Sequence, residues 1–242
     1  WIISSSMASR IMRVFTFLRF MRQILKSSPA DLDWIQSQGL LAVKLAQIFA
    51  LRSDLISVEK CRQLQQLYQH ASSIPSEDVF RNIEQRAPEG FIDAFEHIDD
   101  VPLAAASVGQ VHRARLKDGQ EVVIKVIKAQ NEKTFRRDVN RMRRWLRVFL
   151  IFMPKLRKVG NPVALLNHVA DYTTRELDLR NEIKGAEELS RIKEEVSGNF
   201  QMDLLRFPKY YRELSNKDIL VSEFVRGDSL EDGIEAGSLS WS

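Results

Sequence analysis

Apolar positions recur at helical spacing through the first part of the chain. Leu40, Leu41, Leu45, Ile48 and Leu51 form one set, and Cys61, Leu64 and Leu67 a second; a period near 3.6 marks an amphipathic helix. Two or three helices are therefore predicted between Asp31 and about His70. Residues 75–98 read as a connection, with a helix that starts near Ser76, where Ser-Glu-Asp supplies an N-cap and first-turn acids, and ends near Pro88-Glu89-Gly90. At Val101 the pattern changes. Val108, Val111, Ala114 and Leu116 precede Lys117-Asp118-Gly119, and Val122, Val123, Ile124, Val126 and Ile127 follow it. Asp-Gly between two β-rich runs predicts a hairpin. Residues 135–152 and 162–196 then read as long helices parted near Gly160-Asn161-Pro162. A second strand pair is expected from Pro208 to Glu213 and from Ile219 to Phe224, turned at Ser215-Asn216.

Composition narrows the class. The 242 residues are 44% hydrophobic and 28% charged, which excludes a disordered or collagen-like chain and leaves room for one large domain or two small ones. One cysteine, Cys61, and four scattered histidines exclude an internal disulfide and a structural zinc, and fit a reducing compartment. The longest apolar run, Val148 to Met153, falls far short of the roughly 18 residues that span a bilayer.

Charge changes the picture at one end. The first thirty residues carry Arg10, Arg13, Arg19, Arg22 and Lys26, with no acid before Asp31. On a helical wheel Val14, Phe17, Leu18, Met21, Ile24 and Leu25 share one side, while Arg19, Arg22 and Lys26 cluster on the other. A helix lying on an anionic membrane has this pattern. So do a helix packed on the protein's own body and a mitochondrial-type leader. Arg136, Arg137, Arg141, Arg143, Arg144 and Arg147 make a second basic stretch, but interleaved apolar residues and the lack of any nucleic-acid motif point to a solvated helix face, and no nucleic acid is expected as partner.

The candidate chemistry lies in the middle of the chain. Leu103-Ala104-Ala105-Ala106-Ser107-Val108-Gly109-Gln110 precedes a strand and hairpin, and Val122-Val123-Ile124-Lys125-Val126 lies on the next strand. Small residues at a turn let backbone N–H groups approach phosphates, and a strand lysine beyond it can pair with them. Ala104, Ala105, Ala106, Ser107, Val108 and Lys125 are the candidate nucleotide contacts. By alternation Lys125 shares a sheet face with Val123 and Ile127, so it needs a partner. An acid on a later helix would serve, and the candidate is Glu182; a solvated charged face is the plainer reading of residues 175–182. Residues 219–227, with Glu223 and Val225, form either an ordinary edge strand or the strand leading to a hinge whose backbone binds adenine.

The string from Leu103 to Ala114 resembles the alanine-rich loop of the AarF/UbiB family of atypical kinase-like proteins. Val43-Lys44-Leu45-Ala46-Gln47 is similar to that family's Lys-x-Gly-Gln motif, and Arg52-Ser53-Asp54-Leu55 follows in a matching place. Glu176-Leu177-Asp178 resembles its Glu-x-Asp motif, and Glu182 its lysine-pairing glutamate. The resemblance covers roughly residues 31–228. It implies an α+β fold, a protein-kinase-like N-lobe of small antiparallel sheet plus helices with an N-terminal helical extension. The implied divisions are a basic amphipathic helix at 1–30, the helical extension at 31–97, the N-lobe at 98–228 and a truncated tail at 229–242.

In function the resemblance implies ATP binding, with Mg2+ supplied only together with a C-lobe that this chain lacks, and support of ubiquinone biosynthesis or lipid homeostasis at a membrane. The implied partners are nucleotide, a membrane lipid surface and quinone-biosynthesis proteins, with peripheral attachment at a bacterial cytoplasmic face or in an organelle. It also implies that Lys44 and Gln47 point inward, with Glu176 and Asp178 as their partners. Two positions depart from the family: Ala46 replaces a glycine, and Gly185 an asparagine. The catalytic-loop and magnesium-binding signatures of kinases do not occur in the sequence; His168 to Asp171 falls before the helix glutamate, and Asp232-Gly233 lacks the remainder. A non-catalytic membrane scaffold or pseudokinase is the alternative.

Overall fold

A computed structural model describes residues 5–26, 28–69, 73–128, 132–152, 161–196, 205–227 and 233. The 229–242 tail therefore lies outside the described residues apart from Gly233.

Helices α1 (Ser5–Leu25), α2 (Leu32–Ser37), α3 (Leu40–Ala50) and α4 (Val58–Gln69) come first, followed by α5 (Ser76–Arg86). Phe20, Ile24, Ile35, Ala46, Ala50, Leu64 and Leu67 bury together and hold α1 to α4 as one body. The second half of α1 is thus packed on the protein. Phe15, Leu18 and Leu25 nevertheless stay exposed beside Arg19 and Arg22. Leu51 is exposed because α3 ends at Ala50, so the α3 stripe stops one residue sooner than its period suggests. Ser76 is the first helical residue of α5, and the N-cap is Pro75, whose carbonyl accepts from the Asp78 and Val79 amides. The proposed serine cap is therefore not formed.

The sheet is an antiparallel meander of β1 (Phe95–Ala105), β2 (Gly109–Leu116), β3 (Glu121–Ile127) and β4 (Ile219–Glu223), in the order β1-β2-β3-β4. The β2–β3 hairpin turns at Asp118-Gly119, with Gly119 at φ 86°, a left-handed conformation that glycine adopts without a Cβ clash. Strand β1 was hidden in the sequence. It carries four acids or histidines, contains Pro102, and shifts register three times against β2, features confined to edge strands and bulges. One sheet face, with Ala114, Leu116, Val122, Ile124, Val126, Ile219 and Val221, packs on Val79 and Ile83 of α5 and on Phe91 and Phe95.

The other face meets α6 (Glu132–Phe152), α7 (Pro162–Glu176) and α8 (Arg180–Val196) through Val108, Ile127, Leu220, Phe135, Leu166, Val169 and Ile183. The long helix expected over 162–196 is broken after Glu176. Leu177 and Leu179 turn into the core, and the Leu179 amide donates to Lys217 O at 2.9 Å instead of continuing the helix. The second strand pair is likewise reduced. Tyr210 makes a single bridge to Ser222, because the Lys209 amide is taken by the Glu223 carboxylate, the Val221 amide by Ser215 Oγ, and the chain coils into a 3-10 turn at Arg212–Leu214. Among the described residues no helix is long and apolar enough to cross a membrane.

Candidate functional site

Strand β3 presents its residues alternately: Val122, Ile124 and Val126 are buried on the α5 side, and Lys125 is only half-buried on the other. From there its ammonium pairs with Glu182 of α8, 57 residues on. The break at 177–179 sets this pairing. It starts α8 afresh at Arg180, so Glu182 falls in the first turn, where a carboxylate also suits the helix dipole.

Asp178 fixes the break. Its Oδ1 accepts from the Arg180 amide at 3.1 Å and from Arg180 Nε at 2.9 Å, and the Arg180 guanidinium holds the Asp178 carboxyl below the usual carboxylate range.

Above Lys125 lies the alanine-rich turn. Ala104 and Ala105 end β1, Gly109 opens β2, and the Ala106 amide donates to Gly109 O at 2.8 Å to close the turn. A Cβ at Gly109 would sit 3.0 Å from Val126 O and 3.7 Å from Lys125 Cε. Glycine therefore lets the turn lie directly against the lysine strand. Lys128, just past β3, ties down the same turn: its amide donates to Val108 O at 3.0 Å and its Nζ to Ala106 O at 2.6 Å. Burial pushes the Lys128 ammonium below its ordinary pKa.

At the opposite end of β3, Glu223 stands opposite Val122, three residues or roughly 10 Å along the strand from Lys125. Its carboxylate is held by Arg206 and by the Lys209 amide. Beyond it the Phe224 amide donates to Glu121 O at 3.1 Å and Arg226 pairs with Glu121 at 2.5 Å, so the half-exposed Val225 is pinned beside the start of β3. Arg226 and Arg113 together hold the Glu121 carboxyl low.

The helical extension reaches this assembly through α3. Lys44 Nζ lies 2.5 Å from Glu176 Oε2 at the end of α7, with side-chain exposures of only 11% and 25%. The Glu176 carboxylate pushes the Tyr172 phenol above its ordinary pKa. Gln47 points inward but bonds neither acid; it donates to Leu67 O of α4 at 3.0 Å. Asp178, occupied by Arg180, is not a partner of this pair. Ala46 is fully buried among the α1 to α4 side chains, so its methyl group is accommodated. Gly185 is exposed on α8.

Three structural residues carried no signal in the hydrophobic pattern. Gln110 and His112 are completely buried on β2; Gln110 brackets the Ile74 backbone, and His112 meets Gln110 at 3.1 Å and Asp99 O at 2.8 Å. Lys128 sits outside the strand period. Of the basic α6 stretch, Arg136 pairs with Glu132, Arg141 with Asp138, and Arg143 bonds Asn167 of α7.

A sheet whose lysine is paired to a helix glutamate beneath a small-residue turn is the frame that the ABC1 atypical kinase-like domain matches, over residues 66–238. That match covers more than half of the chain. The chain belongs to the ABC1, or AarF/UbiB, atypical kinase-like family.

Among its relatives, AarF domain-containing protein kinase 1 of Xenopus laevis is 32% identical over 190 residues, covering 78% of this chain and 35% of that protein. Probable protein kinase UbiB of Vibrio parahaemolyticus is 32% identical over 206 residues, covering 84% and 36%. The Pseudomonas paraeruginosa protein of the same name is 31% identical, covering 82% and 36%. The chain thus spans about a third of the length of these relatives. Among solved structures, Mycobacterium tuberculosis Rv3197, determined as its complex with erythromycin, aligns with a TM-score of 0.53 at 21% identity, over 96% of this chain and 52% of that one. The fold is accordingly α+β, a kinase-like N-lobe carrying a helical extension.

Proposed function

We propose that the chain is the ATP-binding lobe of an atypical kinase-like protein that acts in ubiquinone biosynthesis or lipid homeostasis at a membrane. The single observation that carries the reading is the Lys125–Glu182 ion pair directly beneath the Ala105–Gly109 turn. In this reading Lys125, oriented by Glu182, holds the nucleotide phosphates; the turn covers them; and the backbone of residues 223–225 receives the base. The quinone context is supported by the UbiB name of the bacterial relatives.

Among the described residues no cluster of three or more His, Cys, Asp or Glu could hold a metal ion. In this reading Mg2+ accompanies ATP. The residues of this chain bind and orient; turnover needs a catalytic-loop aspartate of the kind missing from the sequence. ATP titration of a chain that includes the second lobe is the test: Lys125→Ala abolishes binding, and unchanged affinity would sink the assignment.

A second reading, attachment to a membrane surface through α1, is favoured by the exposed Phe15, Leu18 and Leu25 alongside Arg19 and Arg22. Apolar prongs with cations around them suit the anionic interface of a bilayer. Flotation with vesicles containing anionic lipid should lose the protein when Phe15, Leu18 and Leu25 are changed to Ser. Equal flotation by the variant would count against α1 as the attachment.

A further inference from the structure

We propose that the cavity between the end of α1 and the start of α4 binds a phosphate monoester, with Lys60 as its buried cation. The site lies in the helical extension and does not depend on the nucleotide reading of Lys125.

The cavity measures about 330 Å³, and Lys26, Ser53, Ser57 and Lys60 are among its lining residues. Lys60 is only 2% exposed. Its ammonium donates to Ser28 O, and among the described residues no carboxylate pairs with it, so burial pushes it below its ordinary pKa. Fastening the 28–30 loop to α4 does not require this charge, because Gln63 Oε1 already accepts from the Ala30 amide at 3.2 Å. An ammonium has three donors. One is spent on Ser28 O, and the others remain beside the cavity. A buried charge is costly until an anion joins it.

The surroundings select phosphate. Lys26 supplies a second cation, exposed and with no acid paired to it among the described residues. Asp54 also lines the cavity, but its two oxygens each accept from Arg52 at 2.7 Å. Ser57 Oγ accepts from the Lys60 amide at 3.3 Å, which leaves its hydroxyl proton to donate. Two cations and two hydroxyls match a group that carries roughly −1.5 to −2 charge on three acceptor oxygens. Phosphate fills only part of the volume. Leu25 and Leu55 line the same cavity and are 56% and 38% exposed, so the organic remainder of the ester meets apolar surface at the mouth.

Soluble phosphate esters and lipid headgroups share this chemistry, and two probes separate them. This chain is titrated with glycerol 3-phosphate against glycerol, and floated with phosphatidylcholine vesicles containing phosphatidic acid or the same charge of oleate. Wild type, Lys60→Met, Lys26→Met and Arg144→Met, an exposed cation on α6, are compared, with thermal unfolding as the check on folding. Either glycerol 3-phosphate binds, or phosphatidic acid is preferred over oleate; the first result assigns a soluble ester, the second a lipid headgroup. Lys60→Met should weaken that binding roughly tenfold, the worth of one charge-assisted hydrogen bond. Lys26→Met should weaken it about threefold, and Arg144→Met should leave it unchanged. Should Lys60→Met unfold, the exposed Lys26→Met decides alone. Binding of neither probe by the wild type, or equal binding by wild type, Lys60→Met and Lys26→Met, would overturn the proposal and leave the nucleotide site untouched.

Discussion

Lys44 and Gln47 lie three residues apart on α3 yet end in different surroundings. The family resemblance implied that both point inward, and both are turned away from solvent. It could not show that Gln47 would meet a main-chain carbonyl, because Leu67 O belongs to α4 and no side-chain pattern reports where a backbone acceptor falls. The Lys44–Glu176 pair is half sheltered, so removing one charge strands the other. Glu176→Gln should cost about 1–3 kcal/mol of stability in denaturant unfolding. The same change removes the negative charge that raises the Tyr172 phenol. Ultraviolet titration, with Tyr172→Phe identifying the transition, should show Tyr172 ionising at lower pH in Glu176→Gln. An unchanged Tyr172 transition would mean that another group sets it. Gln110 and His112 make the complementary point: both stand at core-facing positions of β2, and only the fold reveals that the buried surroundings include the Ile74 and Asp99 backbone.

At the scale of elements, local chemistry with one determinant was easy to read. Asp118-Gly119 specified the β2–β3 hairpin because the turn needs a left-handed residue there. Elements defined by distant partners were not legible. Strand β1 is charged, interrupted by Pro102 and bulged; only the ladder to β2 makes it a strand. The break between α7 and α8 is a tertiary effect too, since Leu177 and Leu179 are good helix formers that leave the helix to enter the core. Asp178 secures that break, and Asp178→Ala should cost about 1 kcal/mol, the usual worth of a carboxylate capping a first helical amide. Because the folded-state carboxyl titrates below its ordinary range, its contribution is complete at neutral pH and fades as the pH falls through that lowered value. The stability gap between wild type and Asp178→Ala should therefore be full at pH 7 and close in acid. A gap independent of pH would assign the cost to something other than the charge.

Across the whole molecule, the helical extension and the sheet are joined where chemistry is concentrated. Helix α3 carries Lys44 to the end of α7, the break after α7 positions Glu182, and Glu182 pairs with the lysine beneath the turn. A change at the α3–α7 contact is thus placed to shift Glu182 through one short connection. The motif order along the sequence announced this frame, because the motifs fall on separate elements: Lys44 and Gln47 on α3, the small-residue turn and Lys125 on the sheet, and Glu176, Asp178 and Glu182 around the break between α7 and α8. What the motifs could not supply was the third dimension of the turn, where Gly109 and Lys128 decide how closely backbone and lysines approach. The central claim is that Lys125 and Glu182 act as one unit in binding ATP, and a double-mutant cycle on ATP affinity tests it most directly. Lys125→Met and Glu182→Gln should each weaken ATP at least tenfold, with the double variant no weaker than Lys125→Met alone. Losses that simply add, or a Glu182→Gln protein that binds ATP as the wild type does, would contradict it.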